Sequence, residues 1–279
     1  MHLDIRGFFM RIDKHILFRL LCAKISNPDI RWLAHTIIFH DPVINHVVKG
    51  DRSLLRQVPP HKSLFHVPPE KGLPIGNLTS QFFANVYLDR LDQFVKHDLK
   101  CQWYMRYVDD FIILSPDLKQ LQQWQKEIEL FLKQKLKLEL NPQKERYHPV
   151  SEGIHWLGYV VKPEYILVQH HIVHALKNKL FRFNQRLTKH AIKTIAPNGQ
   201  YLLPFAPSLP PTLELKKMLA TIHSYYGYFK HANTFRLRLK LWQNHFGLLQ
   251  QYIEPTNKNI LSFQFRPAYI KSVKESRKA

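Results

Sequence analysis

The sequence predicts an α+β fold whose second half is helical, and three observations predict it. Strand-like and helix-like apolar patterns alternate up to about residue 168, yet two strands are joined by a tight turn, which favours antiparallel pairing over a parallel sheet. Beyond Val168 only helical spacing is left. The charge balance changes at the same place. Residues 1–168 carry 23 basic and 18 acidic side chains, a net of +5, whereas residues 169–279 carry 18 and 3, a net of +15. A chain that is 45% hydrophobic and 13% aromatic can bury a core. A strongly basic half on such a chain points to a polyanionic partner, against the plainer reading of a basic solvated surface.

Taken in order, residues 1–5 read as a strand. Asp13 to about Ala23 reads as a helix with Ile16, Leu17, Leu20 and Leu21 on one side, and Pro28 to about Phe39 as a second. Residues 50–75, with five prolines, read as a loop or short hairpin. From Ser80 the spacing of Phe83, Tyr87, Leu91 and Phe94 predicts a helix. A hairpin follows, with QWYMRYV and FIIL as strands and Asp109-Asp110 between them. Ser115-Pro116 reads as a helix start, with Leu118, Leu121, Trp124, Ile128 and Leu132 inward. Strands are expected around Leu138–Leu140 and over Ile154–Val161. Helices are then expected over His174–Leu187, Thr212–Lys230 and Thr234–Leu249; the last has Phe235, Leu239, Trp242, Phe246 and Leu249 as its stripe.

Two cysteines, Cys22 and Cys101, make no disulfide framework and fit a reducing, cytoplasmic setting. No apolar run reaches the ~20 residues that span a bilayer, and Asp4 and Arg6 break any signal-peptide core, so no membrane partner is expected.

Chemistry concentrates in acids. Asp109 and Asp110 at a hairpin tip repel each other unless a cation neutralises them, and Arg106 offsets only part of that charge. Asp4 ends an apolar strand that could pair beside them. Three carboxylates suit two Mg²⁺ ions, with Mn²⁺ as an alternative, in the arrangement used for phosphoryl transfer. An Asp-Asp pair is also a common turn, and the pair alone leaves that reading open.

The surrounding motifs resemble those of the reverse transcriptases. Asp4-Ile5-Arg6-Gly7-Phe8-Phe9 is similar to the first palm motif and Tyr107-Val108-Asp109-Asp110 to the YxDD box. Gly72 to Gln81 resembles the nucleotide-binding motif between them. Asn141-Pro142-Gln143-Lys144 and His155-Trp156-Leu157-Gly158-Tyr159 resemble the next two, the latter being the primer grip. Ile75-Gly76 ahead of Ser80-Gln81, with Gln where most members have Pro, resembles the error-prone enzymes of diversity-generating retroelements, as does Ser224 to Arg238; a retron-like or group II-like enzyme is the alternative.

The resemblance implies a right-hand polymerase palm over 1–168, with a small fingers-side insertion at about 42–72. A helical thumb over 169–255 and a basic tail over 256–279 would follow. It implies RNA-directed DNA synthesis from a template RNA, a DNA primer strand and deoxynucleoside triphosphates, with a small basic accessory protein as a further partner. Asp4 and Asp109 would ligate both Mg²⁺ ions and Asp110 would support the ion at the primer 3′-hydroxyl. The Ile5 carbonyl would complete the nucleotide-side ion, and the Gly7 and Phe8 N–H groups would face the triphosphate. Phe9 would exclude a 2′-hydroxyl, unless it is a plain core residue. Ile75, Gly76, Ser80, Gln81 and Tyr107 would complete the nucleotide site, with Ile75 forfeiting a hydrogen bond that enforces base selection. Lys144 would protonate the leaving pyrophosphate, or else be a solvated strand-end lysine. Trp156, Leu157, Gly158 and Tyr159 would hold the primer.

In the basic half, Lys177, Arg182, Arg186, Lys189 and Lys193 recur every three to five residues and would follow a phosphate backbone, as would Lys230, Arg236, Arg238 and Lys240. His170, His171 and His174 lack the further ligands of a zinc site. Family members carry fingers ahead of the first palm Asp, and here Asp4 is the fourth residue. The expectation is a chain without fingers that binds an RNA–DNA hybrid and extends it weakly, the alternative being a non-catalytic nucleic-acid-binding remnant.

Overall fold

Strand β1 (His2–Asp4) lies against β3 (Asp110–Leu114), and β3 against β2 (Trp103–Tyr107), in an antiparallel sheet of order β1-β3-β2. The computed structural model describes residues 1–44, 46–192 and 212–275, which fall into two compact units, Met1–Tyr147 and His148–Ala279. The fold class is mixed α+β, with small antiparallel sheets and helices in both units.

In the first unit the register places Asp4 opposite Asp110, and Tyr107 opposite Asp110 on the other side. Central β3 buries Phe111, Ile112 and Ile113, because it is covered on both edges and packed by helices. The free edge of β1 is taken by a segment the sequence showed only as a short strand. His2 pairs with Arg146 and Ile5 with Leu140, and Arg6 N–H donates to the Glu139 carbonyl and Asn141 N–H to the Asp4 carbonyl.

The helices are α1 (Phe8–Arg11), α2 (Lys14–Cys22), α3 (Pro28–Phe39), α4 (Leu78–Gln93) and α5 (Leu118–Phe131). Helix α2 starts at Asp13, whose carboxylate accepts from Ile16 N–H, and α3 starts at Asn27, which accepts from Asp29 and Ile30 N–H. Helix α4 begins two residues before Ser80 and runs on through a π turn at Phe94–Asp98, which turns Val95 rather than Phe94 fully inward. Helix α5 is capped by Asp117, not Ser115, and Leu118 is exposed. The Ser115 hydroxyl instead accepts from Asp117 N–H. Leu3, Ile5, Leu17, Tyr87, Leu91, Phe111, Ile113, Ile128 and Leu136 form the core between sheet and helices. Residues 50–75 form short 3-10 turns at Arg52–Gln57, Pro60–Lys62 and Leu64–His66 rather than a hairpin.

In the second unit the expected strand 154–161 is a hairpin of β4 (Ile154–Trp156) and β5 (Tyr159–Val161), extended by β6 (Ile166–Val168). Leu157 and Gly158 turn it with φ of 48° and 87°. Helices α6 (His170–Ile192), α7 (Thr212–Phe229) and α8 (Phe235–His245) follow. Strand β7 (Ile253–Pro255) pairs with β8 (Phe263–Phe265) and α9 (Pro267–Glu275) follows. The region read as a basic tail from residue 256 instead folds back, with Ile260, Phe263 and Tyr269 in the core beside Leu180, Ile222 and Phe246. The three strands before α6 belong to this unit, which therefore starts about 20 residues earlier than the change of charge at residue 168.

Candidate active site

Antiparallel pairing of β1 with β3 sets Asp4 beside Asp110, and the tight turn between β2 and β3 adds Asp109. Val108 takes φ 55° to make that turn. The turn is held from below. Arg106 Nε and Nη2 donate to the Asp92 carboxylate at 2.7 and 2.5 Å, and Arg106 Nη1 donates to the Val108 carbonyl at 2.9 Å. The Tyr104 hydroxyl donates to the same Asp92 at 2.7 Å. Arg106 is thus committed to Asp92 on α4 and does not neutralise Asp109 and Asp110. Sequence reading missed Asp92, whose only signal is an acid among the apolar positions of α4.

The Asp4 carboxylate is buried, and each oxygen has a donor: Asn141 Nδ2 at 2.9 Å and Lys144 Nζ at 2.7 Å. The β1 edge partner delivers both. Lys144 is held in its protonated form mainly by this hydrogen bond. The Asp110 carboxyl lies below its ordinary range, chiefly through His2 Nε2 at 3.3 Å. Asp109 is the opposite case. Burial, followed by the negative charges of Asp4 and Asp110, pushes its carboxyl above the ordinary value. Three hard oxygen donors that repel one another have the chemistry of a divalent-cation site. Among the described residues no three Asp, Glu, His or Cys side chains are already set around one point.

A cleft of about 680 Å³ opens over these groups, lined by Asp4, Ile5, Arg6, Gly7, Phe8 and Phe9, by Ile75 and Asp109, and by Asn141 to Lys144. Phe8 is core, packed on Tyr87, whereas Phe9 is half-buried and faces the cleft. Gly7 takes φ 57°, the left-handed conformation that a glycine adopts freely. The remaining predicted nucleotide residues do not line this cleft. Ser80 is buried in the first turn of α4, Gly76 and Gln81 are exposed close to it in the chain, and Tyr107 is exposed at the end of β2. Asp110 is not among the lining residues; it sits opposite Asp4 in the sheet, with its carboxylate against His2.

In the second unit the Trp156–Tyr159 turn is fixed by Gln169 N–H donating to the Gly158 carbonyl and by the Tyr159 hydroxyl donating to the Tyr228 carbonyl. A side chain at Gly158 would meet Ile172 and Tyr228. On α6, Leu176, Leu180, Phe183 and Leu187 are buried and Arg182 and Arg186 exposed, as the spacing predicts. Lys177 is half-buried, and Arg186 is 3.6 Å from Glu214. The Lys189 side chain and all of Lys193 lie outside the described residues. Lys230, Arg236 and Lys240 are exposed. Arg238 is not on that surface. It is 7% exposed, lowered in pKa by burial, and donates to the Ile260 carbonyl at 3.4 Å. The buried face of α8 runs through Arg238 and Leu241, one residue around from the stripe expected at Phe235 and Leu239.

Among the described residues no helix is long and apolar enough to cross a membrane. No curated protein matches the chain. The family model for reverse transcriptase (RNA-dependent DNA polymerase) matches residues 1–161, more than half of the chain and all of the carboxylate site. The chain therefore belongs to the reverse transcriptase family, the RNA-directed DNA polymerases.

Proposed function

We propose that this chain copies RNA into DNA at the cleft over β1, with Asp4, Asp109 and Asp110 as the ligands of two divalent ions. One observation carries the reading: the sheet register sets Asp4 opposite Asp110, beside a turn that presents Asp109 to the same cleft. Reverse transcriptases generally use divalent metals, and the donor set fits, since a hard carboxylate such as Asp109, raised in pKa by burial and then by the charges of Asp4 and Asp110, gains from added positive charge. Bound there, the ions would supply charge to the phosphoryl oxygens. The rest falls to the chain. The Gly7 and Phe8 N–H groups have no protein acceptor among the described residues and are the donors for phosphate oxygens. Phe9 is the floor under the sugar. Lys144 holds a proton at Nζ at neutral pH and is the acid for pyrophosphate. The Trp156–Tyr159 turn and the exposed cations of α6 and α8 hold primer and hybrid.

The subclass we propose is the error-prone enzyme of a diversity-generating retroelement, with a small basic accessory protein. Ile75 supports it, being 69% exposed on the cleft wall with no polar group to offer a base pair. Sequencing cDNA made by wild type and Ile75→Gln tests this. Errors opposite template adenine should fall in the variant, and equal rates would refute the assignment of infidelity to Ile75. The polymerase reading is tested by Asp109→Asn, which should abolish primer extension and leave RNA binding intact.

A further inference from the structure

The same cleft has a wall that no family motif supplies. His61 and Lys62, from the proline-rich stretch between the first and second motifs, line it together with Asp109 and Lys144. This stretch is built onto α1 and α2. Leu73 N–H donates to the Phe9 carbonyl, Gly72 N–H to the Ile12 carbonyl and Lys14 N–H to the Glu70 carbonyl. Asp13 and Lys71 form a β-bridge. Gly72 packs so closely under Leu64 and Val67 that a Cβ there would lie 2.8 Å from the Leu64 side chain. The turn itself is closed by Lys62 N–H to the Pro59 carbonyl at 2.9 Å. Its His61 carbonyl lies 3.6 Å from where a Cβ of Gly7 would stand, so the turn abuts the Gly7 backbone.

The charges in the cleft divide into paired and unpaired groups. Asp4 and Asp109 face Lys144, whose ammonium is already bound to Asp4. Arg6 and Lys62 are the other cations of the lining, and neither has a carboxylate partner among the described residues. Two unpaired cations in the cleft that also holds the free Gly7 and Phe8 N–H groups make an anion-binding lining. We infer that the Pro60–Lys62 turn is the phosphate wall of the nucleotide cleft, with Lys62 as the cation that binds the distal phosphates of the incoming deoxynucleoside triphosphate. The inference rests on the reading of the cleft proposed above and adds a positioning group from outside the family motifs.

The test is an equilibrium titration of dTTP, and of dTMP, onto the chain bound to an RNA–DNA hybrid whose primer ends in a dideoxynucleotide, so that no bond forms. Lys62→Ala should weaken dTTP about tenfold, the worth of one charge-assisted hydrogen bond. It should leave dTMP affinity and the thermal midpoint unchanged. Inorganic tripolyphosphate should displace dTTP from wild type and do so about tenfold less well from Lys62→Ala. Lys62→Arg should restore most of the affinity for both. A dTTP affinity in Lys62→Ala equal to wild type would overturn the phosphate wall, as would an equal loss for dTTP and dTMP. The underlying reading is judged separately: extension that survives Asp109→Asn would remove the polymerase site itself.

Discussion

In the proposed site Asp109 is the residue to probe first, because its carboxyl is buried and crowded where those of Asp4 and Asp110 are partnered. Its raised pKa means that a proton competes with any divalent ion for the same oxygens. Divalent-ion affinity should therefore climb as pH rises through a value above 3.8 and then level off, whereas Asp109→Asn should bind weakly with no such rise. Titrating Mn²⁺ at a series of pH values checks this; a flat profile in wild type would put the ion elsewhere. Phe9→Ala should open room for a 2′-hydroxyl and raise ribonucleotide incorporation, with a smaller loss for deoxynucleotides. An unchanged ratio of the two would return Phe9 to the core. At this scale the acids were legible as a strand end and a hairpin tip. The Phe8–Phe9 pair was not told apart, since it opens helix α1 instead of continuing a strand whose alternation would say which faces inward. Arg238 was not legible either. A basic residue in a basic helix looks solvated until tertiary packing rotates α8 by one position and buries it against Ile260.

Among the elements, β1 and the Val108 turn fix the carboxylates, and both depend on contacts distant in sequence. Arg106 bridges the turn to Asp92 with a nearly buried side chain. Arg106→Ala should cost about 3 kcal/mol, since it strands a half-buried carboxylate, and should lower extension by more than it lowers hybrid binding. Denaturant unfolding and primer extension on the same preparation would show whether both occur. Asp13 anchors the next element. Burial raises its pKa, but the Lys137 ammonium and the Ile16 N–H outweigh burial and bring the carboxyl below 3.8. The sign follows: the cap stabilises above that value, and its contribution is lost as pH falls through the lower, folded-state pKa. Asp13→Ala should cost about 1 kcal/mol at pH 7, with the gap to wild type closing below pH 4. A gap that widens in acid would contradict the assigned cap. Helix α3 could be read almost to the residue from Pro28, because a proline at the first helical position is a local signal. The edge formed by residues 139–146 was only half legible, since two isolated bridges leave no periodicity to detect. The cap of α5 was misplaced because Ser115 and Asp117 are both capping residues, and Ser115 serves Asp117 instead of the helix.

Across the whole molecule, the net charge of +20 sits mostly in the helical second half, where the sequence predicted a polyanion and the structure leaves Arg182, Lys230, Arg236 and Lys240 exposed. Hybrid binding should fall steeply with salt, and Arg236→Ala should reduce the log–log slope by about 1. Arg238→Met, which replaces a buried side chain, should leave the slope as it is. Equal effects of the two would place Arg238 back on the surface. Composition showed this division of charge, but the two compact units divide earlier, after Tyr147, because β4, β5 and β6 are too short to have a charge character of their own. The central claim is that three aspartates drawn together by one sheet make this chain an RNA-directed DNA polymerase. The most direct measurement is extension of a DNA primer on an RNA template with Mg²⁺, by wild type and Asp109→Asn, with hybrid binding followed in the same tubes. The account predicts extension by wild type, however slow, and none by Asp109→Asn at undiminished hybrid binding; extension by Asp109→Asn at the wild-type rate would contradict it.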